Sequence, residues 1–229
     1  IARESDDVIY TWAGPEIAVA TTKGYTTQMS VLYLIALYFA KVRGTMTEEA
    51  YTAAVKELHD LPEKTAEVLK VDARMAEIAK KYAKCENAFI IGRGLDYAVA
   101  MESSLKLKEI SYINSFAIAA GELKHGTIAL IEDGTLVVSI AAQDRLFEKM
   151  LSNIQEVKAR GADILALAKE SNTAVERQAD DVIYIPECMD EITPLISIVP
   201  LQILAYYIAK QRGCDIDKPK NLAKSVTVE

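Results

Sequence analysis

Cysteine and histidine are scarce in this sequence, which has three cysteines and two histidines among 229 residues. Cys85, Cys188 and Cys214 share no C-x-x-C spacing, which disfavours both a disulfide framework and a zinc site. The two histidines, His59 and His125, are too few for a histidine-rich metal site. We therefore expect no metal and no cofactor, and the free thiols favour a reducing, cytoplasmic environment.

A long basic run and a long apolar run are also missing. The net charge is -7 and the pI is about 5.1. Basic and aromatic residues do not alternate, which argues against binding to nucleic acid. The most apolar stretch, 194–209, is interrupted by Ser197, Pro200 and Gln202, and it is too short and too polar for a membrane span. No signal peptide is visible, and the chain starts at Ile1 instead of Met, so we expect an artificial or cleavage boundary there.

The second half of the chain alternates short apolar runs with helical patterns. The runs lie at 88–91, 116–119, 135–141, 163–168 and 181–185. This alternation predicts an α/β fold in which helices cover both faces of a parallel sheet. Gly92-Arg93-Gly94 follows the first run, but the third glycine of a dinucleotide-binding loop is missing. We therefore interpret these residues as a tight turn.

The stretch before residue 87 is mostly helical in pattern. Periodic segments predict helices over 22–43, 47–61, 62–69 and 73–84. Gly44 is suited to ending the first helix and Thr47 to beginning the second. We interpret residues 45–86 as a helical connector.

Two segments of the chain repeat each other. Residues 6–44 and 180–213 both begin with DDVIY, and they end with AKVRG and AKQRG. Because 181–185 is predicted to be a strand, the repeat predicts a strand at Asp7–Thr11 as well. We therefore expect four parts, which are the closing remnant of a first domain at 1–44, the connector at 45–86, a complete second domain at 87–213 and a tail at 214–229.

The run from Met101 to Gly126 is the richest in candidate functional residues. Glu102, Lys106 and Glu109 lie at positions i, i+4 and i+7, so they share one face of a predicted helix. Such a face is typical of a solvated surface with weak ion pairs. It is also typical of a pocket in which a carboxylate moves a proton and a lysine holds an anion.

Two further stretches have two interpretations each. The small, Thr-rich segment 14–27 is either an ordinary capping loop or a ligand site built from backbone groups. The tail carries Leu222, Val226 and Val228. It is therefore either a free terminus or a segment that docks on the protein.

Three runs together carry a family resemblance, namely GRG…MESSLKLKEISYI…AAGELKHG, PEIAVATTKGYTTQ and NLAKSVTVE. The first alone would indicate the wider sugar-isomerase (SIS) family. With LAKSVTVE, the whole chain resembles the glucosamine-6-phosphate synthases, the isomerising glutamine–fructose-6-phosphate aminotransferases. Members of that family have an N-terminal glutaminase domain and two SIS domains, each a three-layer sandwich with a five-stranded parallel sheet flanked by helices. The resemblance therefore implies a second SIS domain plus the end of the first.

The resemblance also implies a reaction and its residues. Fructose 6-phosphate and ammonia would become glucosamine 6-phosphate through a Schiff base on Lys224. Glu109 would carry a proton between C1 and C2, and His125 would assist ring opening in the site of the neighbouring subunit, which implies a homodimer. The other matching pocket positions are Lys106, Glu102, Val19, Thr21 and Ala223.

The resemblance leaves rival functions and one expectation about activity. A fructosamine-6-phosphate deglycase shares the core motifs but should lack LAKSVTVE. A non-catalytic module that binds a sugar phosphate should have no reason to keep Lys224 and Glu109. Because the family's phosphate-binding loops lie in the earlier SIS domain, we expect the isolated 229-residue chain to be inactive.

Overall fold

Five parallel strands form the sheet of residues 2–220, the part of the chain that this computed structural model describes. They are β1 (Asn87–Gly92), β2 (Asn114–Ala119), β3 (Leu136–Ala141), β4 (Asp163–Lys169) and β5 (Asp181–Ile185). Their order across the sheet is β2-β1-β3-β4-β5, and every neighbouring pair is parallel. The predicted parallel sheet is confirmed.

Helices lie on both faces of this sheet. The α-helices of the described residues are α1 (Lys23–Arg43), α2 (Glu48–His59), α3 (Leu61–Val68), α4 (Asp72–Tyr82), α5 (Leu95–Ser111), α6 (Phe147–Lys158) and α7 (Thr193–Gln211). Of these, α5 and α7 cover one face of the sheet and α6 covers the other. Leu107 of α5 and Leu204 of α7 share one apolar core with α4. Met150 of α6 shares a second core with Leu123, which belongs to the 3-10 helix Ala120–His125. The predicted three-layer sandwich is confirmed.

The two cores lie on opposite faces of the sheet. Consecutive side chains of a strand point to opposite faces. In β1, Ile90 belongs to the core of α5 and α7, whereas its neighbour Ile91 belongs to the core of α6. Helix α5 and the 3-10 helix Ala120–His125 are therefore separated by the sheet, although only eight residues lie between them in sequence.

Helix ends follow local sequence signals. The Thr47 side chain accepts a hydrogen bond from the Ala50 N–H at 3.2 Å and begins α2. Gly44 ends α1 in the left-handed conformation, with φ 62°. Both signals agree with the prediction. Helix α5 begins at Leu95, before the run that starts at Met101. Its first turns could not be recognised from the sequence, because they are apolar on several sides and lack a single stripe.

The strand predicted at Asp7–Thr11 is wrong. Residues 7–11 are neither helix nor strand, although β5 carries the same DVIY letters. A strand needs a neighbour for its backbone hydrogen bonds. In β5 that neighbour is β4, and residues 7–11 pair with none of the five strands described here.

One helix resembles a membrane span by length and composition. Of the described residues, only α7 is long and apolar enough. Two-thirds of its most apolar window is buried inside the protein, against α5, α4 and α3. Its apolar character is therefore explained by packing in the core.

Candidate active site

Helix α5 brings three charged side chains together. The turn before it is tight, since a Cβ on Gly92 would lie 2.5 Å from the carbonyl carbon of Asp96. The helix then packs on the sheet through Leu107 and Ile110. Its neighbouring face carries Glu102, Lys106 and Glu109, as their spacing predicted.

Lys106 is the centre of this charged cluster. Its Nζ lies 2.6 Å from Oε2 of Glu109 and 3.4 Å from Oε1 of Glu102. The Lys106 side chain is 5% exposed, and the Glu109 side chain is 21% exposed. The face is therefore largely enclosed, and the solvated-surface interpretation does not hold for it.

Burial, and to a smaller extent the excess of acid over base in the cluster, changes the proton affinity of Glu102. Burial raises the pKa of the Glu102 carboxyl above its ordinary value, and the charge of Glu109 adds to that effect. Lys106 opposes both but does not cancel them. Burial also raises the pKa of Tyr25, with Glu102 as the second cause. An extra negative charge is therefore disfavoured around Glu102.

A cavity of about 200 Å³ opens beside Lys106. Its walls come from the segment before α1, from α5, from α7 and from the chain after α7, and its lining residues are Ala18, Ala20, Thr22, Lys106, Ile110, Gln202, Tyr206, Ile216 and Asp217. Gln202 and Tyr206 were not singled out from the sequence. The available signal was that Gln202 interrupts an apolar helix, and its Nε2 is buried with no hydrogen-bond partner in the described residues.

The segment that carries Val19 and Thr21 is tied down at two points. The Val19 N–H donates to the Asp217 carbonyl at 2.9 Å. The Thr21 hydroxyl donates to Oε2 of Glu16 at 3.2 Å, and the Thr22 N–H donates to the other oxygen of the same carboxylate at 2.7 Å. The residues beside Val19 and Thr21 reach the cavity, while the Thr21 hydroxyl is engaged with Glu16.

His125 does not join this cluster. It ends the 3-10 helix Ala120–His125, on the face of the sheet opposite α5. Its Nδ1 lies 2.6 Å from Oε2 of Glu122, and its side chain is 73% exposed. Within one chain, His125 and Glu109 therefore belong to different surfaces.

Lys224 and Ala223 lie outside the described residues 2–220. The described chain ends close to α5, because the Lys220 N–H donates to the Tyr112 hydroxyl at 2.7 Å, and Tyr112 directly follows α5. No group of three or more His, Cys, Asp or Glu side chains suited to a metal ion occurs in residues 2–220.

A family model described as "SIS domain" matches residues 81–210. The chain belongs to the SIS-domain family. The matched range includes β1 to β5, α5, α6 and nearly all of α7. The charged cluster on α5 is thus part of a SIS domain.

Two similar relatives of this SIS chain bear the same name. The glutamine–fructose-6-phosphate aminotransferase (isomerizing) of Caldanaerobacter subterraneus subsp. tengcongensis is 58% identical over 229 residues, which are 100% of this chain and 38% of that protein. The enzyme of the same name from Clostridium tetani is 52% identical with the same coverage. The chain therefore spans less than two-fifths of the length of these relatives.

A solved structure supports the same relationship. The C-terminal domain of glucosamine-fructose-6-phosphate aminotransferase from Francisella tularensis matches with a TM-score of 0.90 and 36% sequence identity. The match covers 95% of this chain and 61% of that one. It therefore extends beyond the matched SIS domain into the helices that precede β1.

Proposed function

We propose that this chain is the isomerase part of an isomerising glutamine–fructose-6-phosphate aminotransferase, a cytoplasmic enzyme that makes glucosamine 6-phosphate from fructose 6-phosphate and ammonia. The observation that carries the proposal is the enclosed Glu102–Lys106–Glu109 cluster beside a cavity. The last described residue, Lys220, lies beside the end of the same helix, and Lys224 follows it by four positions. The identity of 58% over the whole chain supports it.

The proposed chemistry conserves atoms and electrons. The Lys224 amine condenses with the C2 carbonyl of the open-chain sugar and releases water, and ammonia then replaces the lysine at C2. Glu109 takes a proton from C1 and returns it to C2. The C1 hydroxyl loses one proton and the imine nitrogen at C2 gains one, so that C1 becomes an aldehyde and C2 carries the amine. A single base suits both carbons because they are adjacent. Lys106 holds Glu109 in position through the ion pair at 2.6 Å, and burial of the lysine amine in the closed site would favour its neutral, nucleophilic form.

The length of chain after Lys220 is compatible with the proposed role of Lys224. Lys224 follows Lys220 by four positions in sequence, and an extended chain of four residues spans at most about 14 Å. Lys220 is held at Tyr112, three residues after Glu109, which corresponds to about 4.5 Å along a helix. Ala223 and the residues around Val19 and Thr21 would then border the sugar, together with Glu102.

Borohydride trapping tests this proposal. Incubating the full-length enzyme with fructose 6-phosphate and borohydride should give a mass adduct on Lys224, which Lys224→Arg abolishes. Lys218→Arg is the matched control and should keep the adduct. An undiminished adduct in Lys224→Arg would contradict the proposal. Sugar-phosphate binding without any adduct would favour the non-catalytic module, and consumption of fructosamine 6-phosphate without glucosamine 6-phosphate synthesis would favour the deglycase.

The proposal includes a homodimer, which the position of His125 supports, because a site built around Glu109 would need that histidine from a second copy. A subunit with Lys224→Arg and a subunit with His125→Ala should each be inactive alone. After the two variants are mixed and reassociated, about half of the dimers are hybrids, and each hybrid has one complete site out of two. About a quarter of wild-type activity should therefore return. No recovery, with hybrids present by native mass spectrometry, would rule out a shared site.

Residues 1–44 are proposed to be the closing part of a preceding SIS domain, followed by the connector 45–86, the second SIS domain 87–213 and the tail 214–229. The first part carries large apolar side chains in water, including Trp12 at 91% exposure. Leu32, Phe39 and Val42 of α1 are also exposed. Such a patch is typical of a surface that a partner covers, and the missing partner would be the remaining sheet of the first domain, preceded by the glutaminase domain. The isolated chain should not isomerise fructose 6-phosphate.

A further inference from the structure

A polar cavity of about 720 Å³ opens where helices α4, α5 and α7 end. Its volume lies within the range of small-molecule sites. Its lining carries five cationic side chains and one carboxylate, which belong to Lys80, Lys84, Arg212, Lys218, Lys220 and Asp215. The chain as a whole has a net charge of -7. The cavity therefore gathers positive charge against the general balance of the protein.

The carboxylate in the cavity forms an ion pair with none of these cations within residues 2–220. Oδ1 of Asp215 instead accepts the N–H groups of Asp217 at 3.0 Å and Lys218 at 2.9 Å. Of the five cations, only Lys80 has an ion pair in that part of the chain, with its Nζ 2.7 Å from Oε1 of Glu77. Both partners of this pair are more than half exposed, and exposed pairs are weak. The other four cations have no carboxylate partner there.

Helix ends explain only part of this excess of positive charge. The C-terminal end of a helix carries a partial negative charge that attracts cations. Arg212 answers this charge at the end of α4, because its Nη1 donates to the carbonyls of Ala83 at 2.8 Å and Cys85 at 3.1 Å. The Lys220 ammonium lies over the Tyr112 ring, 5.5 Å from its centroid. These two cations are therefore engaged with the protein itself.

Two ammonium groups of the cavity remain for a ligand. The side chains of Lys84 and Lys218 make no ion pair, hydrogen bond or ring contact within the described part of the chain. Lys84 follows α4, whereas Lys218 lies in the segment after α7. The fold thus brings two uncommitted cations to one cavity from segments that are far apart in sequence.

We propose that this cavity binds a small molecule with two or more phosphate groups. An ammonium group binds phosphate as a point charge, and a cleft lined by one sign of charge concentrates ions of the opposite sign. Two separate ammonium groups in a cavity of this size fit two linked phosphates better than one. The inference is independent of the proposed reaction, because it uses none of the residues assigned to that chemistry.

Calorimetric titration of the 229-residue chain with pyrophosphate tests this site. Lys84→Gln and Lys218→Gln should each weaken binding about three- to tenfold, the range for one hydrogen bond. Lys218→Arg keeps the charge and should stay within about threefold of the wild type. Lys149→Gln is the matched control, since Lys149 of α6 is also exposed and also has no ion pair in residues 2–220. Its affinity for pyrophosphate should equal that of the wild type.

Backbone amide NMR shifts locate the bound anion. Pyrophosphate should move the resonances of Lys84, Gly213 and Lys218, and inorganic phosphate should bind at least about tenfold more weakly, because it lacks the second charged group. Pyrophosphate represents an inorganic ligand and adenosine diphosphate an organic one, so tighter binding of the nucleotide would assign the site to an organic diphosphate. Equal affinity of the wild type and the Lys84→Gln/Lys218→Gln double variant would overturn the proposal. Shifts confined to other surfaces, or equal binding of phosphate and pyrophosphate, would also overturn it.

Discussion

Asp96 is a buried acid that should make stability depend on pH. It lies in the first turn of α5 and is wholly excluded from solvent. Its Oδ2 accepts the Ala142 N–H at 3.0 Å, whereas its Oδ1 has no hydrogen-bond partner in the described residues. Burial raises the pKa of Asp96 to about 7, although the backbone hydrogen bonds from Ala142 and Gln143 oppose it. Asp96→Asn replaces this carboxyl with a group of the same shape that never ionises.

The size of the effect follows from linkage between protonation and folding. The shift from 3.8 to about 7 corresponds to about 4 kcal/mol at 1.36 kcal/mol per pKa unit. Because the pKa of Asp96 is raised in the folded state, its contribution is fully present below the unfolded pKa near 4. That contribution is lost as the pH rises through the folded pKa of about 7. The free energy of unfolding of Asp96→Asn, relative to that of the wild type, should therefore rise by up to about 4 kcal/mol between pH 3 and pH 8.

Urea unfolding of both proteins at pH 3, 5, 6.5 and 8 measures this difference. Asp180→Asn is a control of opposite sign. Burial raises the pKa of Asp180, but hydrogen bonds from Lys158 and from the Ile164 N–H outweigh burial and lower it. The free energy of unfolding of the wild type should therefore rise relative to that of Asp180→Asn as the pH rises through the pKa of an unfolded aspartate. A difference between wild type and Asp96→Asn that stays constant from pH 3 to pH 8 would refute the linkage argument.

Three further changes test the cluster, the core and the turn. Lys106→Met should cost about 3 kcal/mol in urea unfolding, because two enclosed carboxylates lose their cation, and NMR titration should find the Glu102 pKa raised further. Lys169→Met should cost about 3–5 kcal/mol, since its side chain is 1% exposed between two aspartates. Gly92→Ala should cost at least about 3 kcal/mol, because its Cβ would meet backbone at 2.5 Å. Gly44→Ala meets no atom within 4 Å, so its φ of 62° should cost only about 1 kcal/mol.

The elements of the sheet were predictable because their signals are local. Each strand is a short apolar run between turns, and parallel strands buried on both faces need nothing more. The predicted runs agree with β1 to β5 to within two residues at each end. The exception at Asp7–Thr11 has the letters of a strand, but a strand also requires a neighbour, and sequence repetition carries no information about where that neighbour lies.

The charged face of α5 was only half predictable. The spacing of Glu102, Lys106 and Glu109 fixes their common face, because helical geometry alone determines it. Whether that face is wet or enclosed depends on α7 and on the segment before α1, which are about 80 to 100 residues away in sequence. Gln202 was missed for the same reason. A polar residue in an apolar helix has no recognisable role until the opposite wall of the cavity is known.

His125 demonstrates why closeness in sequence is a poor guide in this fold. It follows Glu109 by only 16 positions, and both lie in the run that carries the family resemblance. Between them the chain passes through β2, an edge strand, and then continues on the opposite face of the sheet. The helices before and after a strand can lie on opposite faces of the sheet, so residues that are close in sequence can be separated by the sheet itself. If both residues act on one substrate, they must come from two copies of the chain, because the sheet separates them within one copy. A dimer achieves this without any change of fold.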